Sequence, residues 1–126
     1  MIKIIKKFKY TKDHEWIDFN DNTAIVGISD FAQNELGDIV FVELPNIGDS
    51  FSQNDIFGTI EAIKTVADLY IPVSGEIIDV NEELNACPEL INTNPYSKGW
   101  IVKIKLDDKS EINALLDNDA YQKIIN

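Results

Sequence analysis

The sequence predicts a mainly β domain of the sandwich or barrel type, and three observations carry that expectation. Short runs rich in Val, Ile, Thr, Phe and Tyr recur along the chain, turn residues separate them at close intervals, and helical patterning stays at the margins. The 126 residues suffice for one hydrophobic core and are too few for two independent ones, so a single domain over 1–126 is expected.

Phe8 and Tyr10 alternate with Lys7 and Lys9, the pattern of an edge strand. Residues 15–19 and 23–28, separated by Asn20-Asp21-Asn22, read as a hairpin, because a polar Asn/Asp turn divides two β-rich runs. Ser29 or Asp30 caps a short helix through Leu36, with Gly37 placed to end it; residues 38–44 return as a strand closed by Pro45-Asn46-Ile47-Gly48-Asp49. Residues 56–73 show no cap and no 3.6-residue stripe and read as two strands around Lys64. No Gly, Pro, Asn or Asp adjoins Lys64, so local chemistry alone does not place the turn between them.

Pro72-Val73-Ser74-Gly75 reads as a turn, residues 76–80 as a strand, 87–91 as a helical turn, and 92–99 as a loop. Trp100, Val102, Ile104 and Leu106 alternate with Lys103 and Lys105, as in a half-buried strand. Ser110 is expected to cap a helical segment bearing Ile112, Leu115 and Leu116, and Asp119 to start a last turn bearing Tyr121, Ile124 and Ile125. No internal repeat is evident.

With 44% apolar and 26% charged residues the composition is that of a globular chain. All eleven basic residues are lysines, and five of them precede the first acid, Asp13. Residues 13–126 therefore carry 22 acids against 6 lysines, a formal charge of −16. Such a field repels nucleic acid and anionic membranes and favours encounter with basic protein surfaces. No run approaches the roughly 18 to 20 consecutive apolar residues that span a bilayer. Cys87 is the only cysteine, which rules out an internal disulfide and suits a reducing compartment. The first residues lack the pattern of a signal or transit peptide. A cytoplasmic monomer is the expectation, with the mitochondrial matrix the alternative if a presequence has been removed.

Candidate chemistry is sparse. The one histidine, His14, and the one thiol, Cys87, lie in no nucleophile motif, and a Cys87 packed before Pro88 is the expectation over a Cys/His hydrolase. Two such ligands are too few for zinc, no Asp-rich loop has calcium spacing, and no Gly-rich phosphate loop is present; no metal is expected. Lys64 stands out, because it is the only lysine between Lys12 and Lys98, in a stretch that holds seventeen acids. Such a residue either lightens acidic repulsion on a solvated face or is a target for amide formation, which removes the charge and lengthens a flexible stem.

The segment Glu61-Ala62-Ile63-Lys64-Thr65-Val66-Ala67-Asp68-Leu69-Tyr70-Ile71-Pro72-Val73-Ser74-Gly75-Glu76 resembles the lipoylation segment of the glycine cleavage H-protein family. Tyr10-Thr11-Lys12-Asp13-His14-Glu15-Trp16, Gly27-Ile28-Ser29-Asp30-Phe31-Ala32-Gln33, residues 36–45 and Asn94-Pro95-Tyr96 with Gly99-Trp100 match further family signatures in family order. The likeness covers about residues 8–125.

This resemblance implies a lipoyl-domain-like barrel-sandwich hybrid of two small antiparallel sheets, with short marginal and C-terminal helices. It implies lipoate in amide linkage on Lys64 at a hairpin tip, with Glu61 and Gly75 at positions read by lipoate-attaching enzymes. Gly75 is also readable as a turn glycine. Glu15 and Asp68 match positions whose carboxylates lie near the protonated amine of the aminomethylated arm; Asp13, where relatives also carry Ser, adds a third carboxylate or faces solvent. Ala62, Ala67 and Ser97-Lys98 depart from the usual pattern and bear on partner preference.

The implied function is that of a non-catalytic carrier. It shuttles the aminomethyl group of glycine from the pyridoxal-phosphate-dependent glycine decarboxylase to the tetrahydrofolate-dependent aminomethyltransferase, and dihydrolipoamide dehydrogenase then reoxidises the arm. Two alternatives stand beside it: a lipoyl relay that donates lipoate to the E2 subunits of 2-oxoacid dehydrogenases, and an unmodified acidic interaction domain. A biotin carrier is disfavoured, since biotin attachment favours Met beside the lysine and here the neighbours are Ile63 and Thr65.

Overall fold

Nine strands in two antiparallel sheets form the frame of the described chain, residues 2–126 of a computed structural model. Met1, the first residue of the expected 1–126 domain, lies outside the described residues. In chain order the elements are β1 (Lys9–Tyr10), β2 (Glu15–Asn20), β3 (Thr23–Ile28), α1 (Asp30–Leu36), β4 (Ile39–Glu43), β5 (Ser50–Phe51), β6 (Ile56–Ala62) and β7 (Val66–Tyr70). They continue with β8 (Gly75–Val80), α2 (Glu83–Ala86), α3 (Leu90–Thr93), β9 (Val102–Leu106), a 3-10 helix (Lys109–Ala114) and α4 (Asn118–Ile125). The larger sheet runs β1-β2-β3-β9-β8-β5 and the smaller β4-β6-β7.

Alternation decides which face each strand buries. On β9, Val102, Ile104 and Leu106 turn inward while Lys105 is exposed, and on β3 Ala24, Val26 and Ile28 do the same. These side chains meet Ile39, Val42, Phe57, Ile60 and Leu69 of the smaller sheet in one apolar core. A second cluster of Phe8, Tyr10, Trp16 and Tyr121 joins the two ends of the chain. There Phe8 stacks on Trp16 at 4.7 Å and Tyr10 on Tyr121 at 4.4 Å. Tyr10 and Leu116 exchange two backbone hydrogen bonds of 2.8 Å, and the Trp16 Nε1–H donates to the Pro95 carbonyl at 2.9 Å.

Several elements differ from the sequence expectation. β5 was not expected, since two residues paired with Glu76 and Gly75 are too short to show a period. α2 was also missed, because Glu82 at its start makes no side-chain cap bond. Cys87 is exposed and not packed: it closes α2 by donating its N–H to Glu83, and the expected helical turn starts later, at Leu90. Gly75 lies inside β8, opposite Phe51 and Leu106, and not in the turn before it.

The strand expected from Trp100 begins at Val102, with Trp100 half-buried against the aromatic cluster. The C-terminal caps fall two residues earlier than expected. Asp108 and not Ser110 caps the 3-10 helix, and Asp117 and not Asp119 caps α4. Each has the extended backbone that lets its carboxylate accept from an N–H two or three residues on.

Candidate functional site

Lys64 sits in the tight connection between β6 and β7, an exposed lysine at the tip of a hairpin. Glu61 pairs with Val66 as the last ladder pair, and the Ala62 N–H donates to the Thr65 carbonyl at 2.8 Å to close the turn. The next residue is fixed from outside, since the Ile63 N–H donates to the Asp38 carbonyl at 3.0 Å. Tertiary bonding supplies the turn that the local sequence does not specify.

The Lys64 stem lies across Gly37. A Cβ on Gly37 would be 3.4 Å from Lys64 Cε and 3.8 Å from Nζ, and the Gly37 φ of +79° already disfavours any side chain. Asn92 secures this corner: its amide donates to the Gly37 carbonyl at 2.9 Å and to Gln33 at 3.0 Å, while its Oδ1 accepts from the Ile39 N–H at 3.0 Å.

Beside that corner opens a cleft of about 260 Å³ between the two sheets and α1. Ile28, Phe31, Ala32, Leu36, Ile60 and Leu69 give it apolar walls; the acidic residues Asp13, Glu15, Glu35 and Asp68 border it, with His14 among them. Glu15 is 2% exposed. The turn before β2 places it: Thr11 Oγ1 accepts from the N–H groups of Asp13 and Glu15 and donates to Glu15 Oε1 at 2.6 Å. Glu15 Oε2 accepts from the Tyr70 N–H at 3.3 Å. Burial outweighs these bonds and pushes the Glu15 carboxyl up to about 8, so at neutral pH it is mostly protonated.

His14 adopts a left-handed backbone, φ +73°, and its Nδ1 lies 2.9 Å from the Tyr121 hydroxyl, which in turn lies 2.6 Å from Ser29 Oγ. Ser29 also caps α1 by accepting from the Ala32 N–H. Burial lowers the His14 imidazole below its ordinary value, opposed by the nearby charges of Asp13 and Glu35. Burial likewise pushes the Tyr121 hydroxyl up to about 12.

The cleft thus brings Asp13, Glu15 and Asp68 to one place, Asp13 at its exposed edge, with Lys64 across the end of α1. Glu61 stands exposed on β6 near the lysine, and Gly75 lies on β8 of the other sheet. A Cβ on Gly75 would come 2.1 Å from the Lys105 carbonyl oxygen, so close strand approach, not turn geometry, demands glycine there. Cys87 does not line the cleft that holds His14. Sequence reading did not single out the apolar wall residues Ile28, Ile60 and Leu69, nor Phe31, Ala32, Glu35 and Leu36; the spacing of the last four marks one face of α1 but not what that face meets.

The glycine cleavage H-protein family model matches residues 8–126. The chain belongs to the glycine cleavage H-protein family. It is 52% identical over 119 residues to the glycine cleavage system H protein of Staphylococcus epidermidis, an alignment covering 94% of each chain. It is 46% identical over 125 residues to that of Carboxydothermus hydrogenoformans, covering 99% of this chain and 96% of the relative. The crystal structure of a glycine cleavage system H protein from Mycobacterium marinum matches with a TM-score of 0.87 at 37% identity, covering 95% of this chain and 97% of that one. Among the described residues, no helix is long and apolar enough to cross a membrane, and no group of three or more His, Cys, Asp and Glu side chains is placed to hold a metal ion.

Proposed function

We propose that Lys64 is the lipoyl attachment point of a one-domain carrier in the glycine cleavage system. As a member of the H-protein family the chain is a carrier component and not itself a catalyst. The observation that carries the site assignment is the pairing of an exposed hairpin lysine with an adjacent cleft that has apolar walls and several carboxyl groups.

These residues fit the group. Lys64 offers an accessible amine, the walls from Ile28, Phe31, Leu36, Ile60 and Leu69 suit an aliphatic chain, and Asp68 and Asp13 suit a cationic amine at its end, joined by Glu15 when the nearby cation favours its ionised form. Lipoate on Lys64 would supply a dithiolane that takes up the aminomethyl group of glycine and passes it on. Glu15 and Asp68 would orient the charged end of the arm, and the apolar walls would keep water from it. Glu61 and Gly75 would serve the lipoate-attaching enzymes, Glu61 as a contact near the lysine and Gly75 through strand packing.

The partners are then glycine decarboxylase, the aminomethyltransferase, dihydrolipoamide dehydrogenase and the attaching enzymes, in the cytoplasm of a cell such as those of the bacterial relatives. The acidic surface would steer the carrier toward basic rims on these enzymes, so its apparent KM with the decarboxylase should rise with ionic strength. Intact mass after incubation with lipoate ligase, ATP and lipoate tests the assignment. One lipoyl increment, mapped to Lys64 and absent from Lys64→Ala, is the expected result. No increment while a known lipoyl domain is modified in parallel would leave an acidic interaction domain instead.

A further inference from the structure

Among the described residues, four of the seven exposed large apolar side chains gather in one place: Val40, Phe41, Ile63 and Val66, 52, 48, 75 and 60% exposed, fall near the tip of the β6–β7 hairpin, while Ile47, Ile56 and Ile124 lie elsewhere. Register explains the grouping. Phe41 on β4 pairs with Glu61 on β6, which pairs with Val66 on β7, so one cross-strand row on the outer face of the smaller sheet reads Phe41, Glu61, Val66. The ladder steps from Ile39 to Phe41 while its partner advances one residue, leaving Val40 as the extra residue of a bulge, which turns it outward beside Phe41. Ile63 lies at the open end of this row, next to Lys64. Around it stand the exposed carboxylates Asp38, Glu43, Glu61 and Asp68.

We infer that this face is the docking surface for the enzyme that acylates Lys64, and that the enzyme meets it with an apolar patch flanked by basic residues. The inference rests on the lipoyl reading of Lys64. Amide formation sets a short working distance. The Lys64 nitrogen attacks the carbonyl carbon of lipoyl adenylate, made from lipoate and ATP; the C–N bond forms, the C–O bond to AMP breaks, and the amine protons pass to solvent or to an enzyme base.

For that attack the enzyme must come within reach of a bare four-carbon stem, so it covers the surface immediately around the hairpin. A partner that meets the far end of a loaded arm approaches from further out and need not touch this face. The Phe41, Ile63 and Val66 side chains supply apolar area for burial, and the surrounding carboxylates select a partner rim of opposite sign.

Phe41→Ser and Val66→Ser alter exposed side chains, and thermal melts would verify that each variant folds. Ile47→Ser, 60% exposed in the turn beyond β4, is the control away from the hairpin. With lipoate ligase, ATP and lipoate, mass spectrometry of the unmodified proteins should show kcat/KM for attachment falling about tenfold in Phe41→Ser and Val66→Ser and holding in Ile47→Ser. After exhaustive lipoylation, both variants should react with glycine decarboxylase at the wild-type KM. Attachment at the wild-type rate in both folded variants overturns the inference and leaves the carrier assignment standing. An equal loss with ligase and decarboxylase also overturns it, as the mark of a surface common to all partners. If the wild type itself takes up no lipoate, the carrier reading falls and this one with it.

Discussion

The main-chain N–H of Tyr70 donates to Oε2 of Glu15 at 3.3 Å, so a buried carboxyl on β2 bonds directly to β7 of the other sheet. Glu15 holds its proton up to about pH 8 in the folded chain, against an ordinary value near 4.5. Between those limits the native state binds a proton that the unfolded chain has released, so this residue's contribution to stability is greatest below the lower value and is lost as pH rises through the upper one. Its size is on the order of a few kcal/mol. Glu15→Gln stays neutral throughout. Paired urea melts at about pH 5 and about pH 9 should show the stability difference moving in the variant's favour at the higher pH. A constant difference would mean that Glu15 is already ionised in the native protein.

The Tyr121 hydroxyl joins the Ser29 cap of α1 to the His14 side chain. Tyr121→Phe keeps the ring stacked on Tyr10 and removes both bonds, so stability should fall by about 1 to 3 kcal/mol in chemical denaturation. The His14 ring resonances in NMR should shift as well, because its Nδ1 loses a partner. Unchanged resonances would show that His14 is oriented by its backbone alone.

Gly75→Ala places a methyl 2.1 Å from the Lys105 carbonyl oxygen and 2.8 Å from Ile104 Cγ1. The backbone of two central strands must move, at a cost of about 3 kcal/mol or more. Poor lipoylation of this variant should therefore come with a lower Tm. A wild-type Tm with poor lipoylation would instead mark Gly75 as a direct contact of the attaching enzyme.

Cys87 is exposed at the end of α2, so Cys87→Ser should change stability by less than about 0.5 kcal/mol. A thiol reagent should label the native protein completely without denaturant. Slow labelling would return Cys87 to the packed position that its place before Pro88 suggests.

Sequence pattern reached furthest where local physics decides. β2, β3 and β9 were legible because alternation and a polar turn act within a few residues, and the end of α1 was legible because Gly37 closes it. The turn at Lys64 was not, since a bond from the Ile63 N–H to the carbonyl of Asp38, far off along the chain, holds it. Asp108 and Asp117 were passed over for Ser110 and Asp119 because all four are competent caps, and only the backbone angle selects between them. Within the site, family likeness singled out Lys64, Glu15 and Asp68. The walls from Phe31 and Leu36 emerged only once α1 had a neighbour, since a helix face reads the same over a core as over a cleft.

The bridge between Tyr10 and Leu116, with Tyr121 stacked behind it, gives the chain the character of a closed ring: its first strand and last helix are each other's neighbours. Fraying at either end would therefore release the same latch, and because Tyr121 also holds His14, that latch reaches the cleft wall. A tag or fusion that pulls α4 away would loosen the carrier's acidic cleft while leaving the hairpin and its lysine untouched.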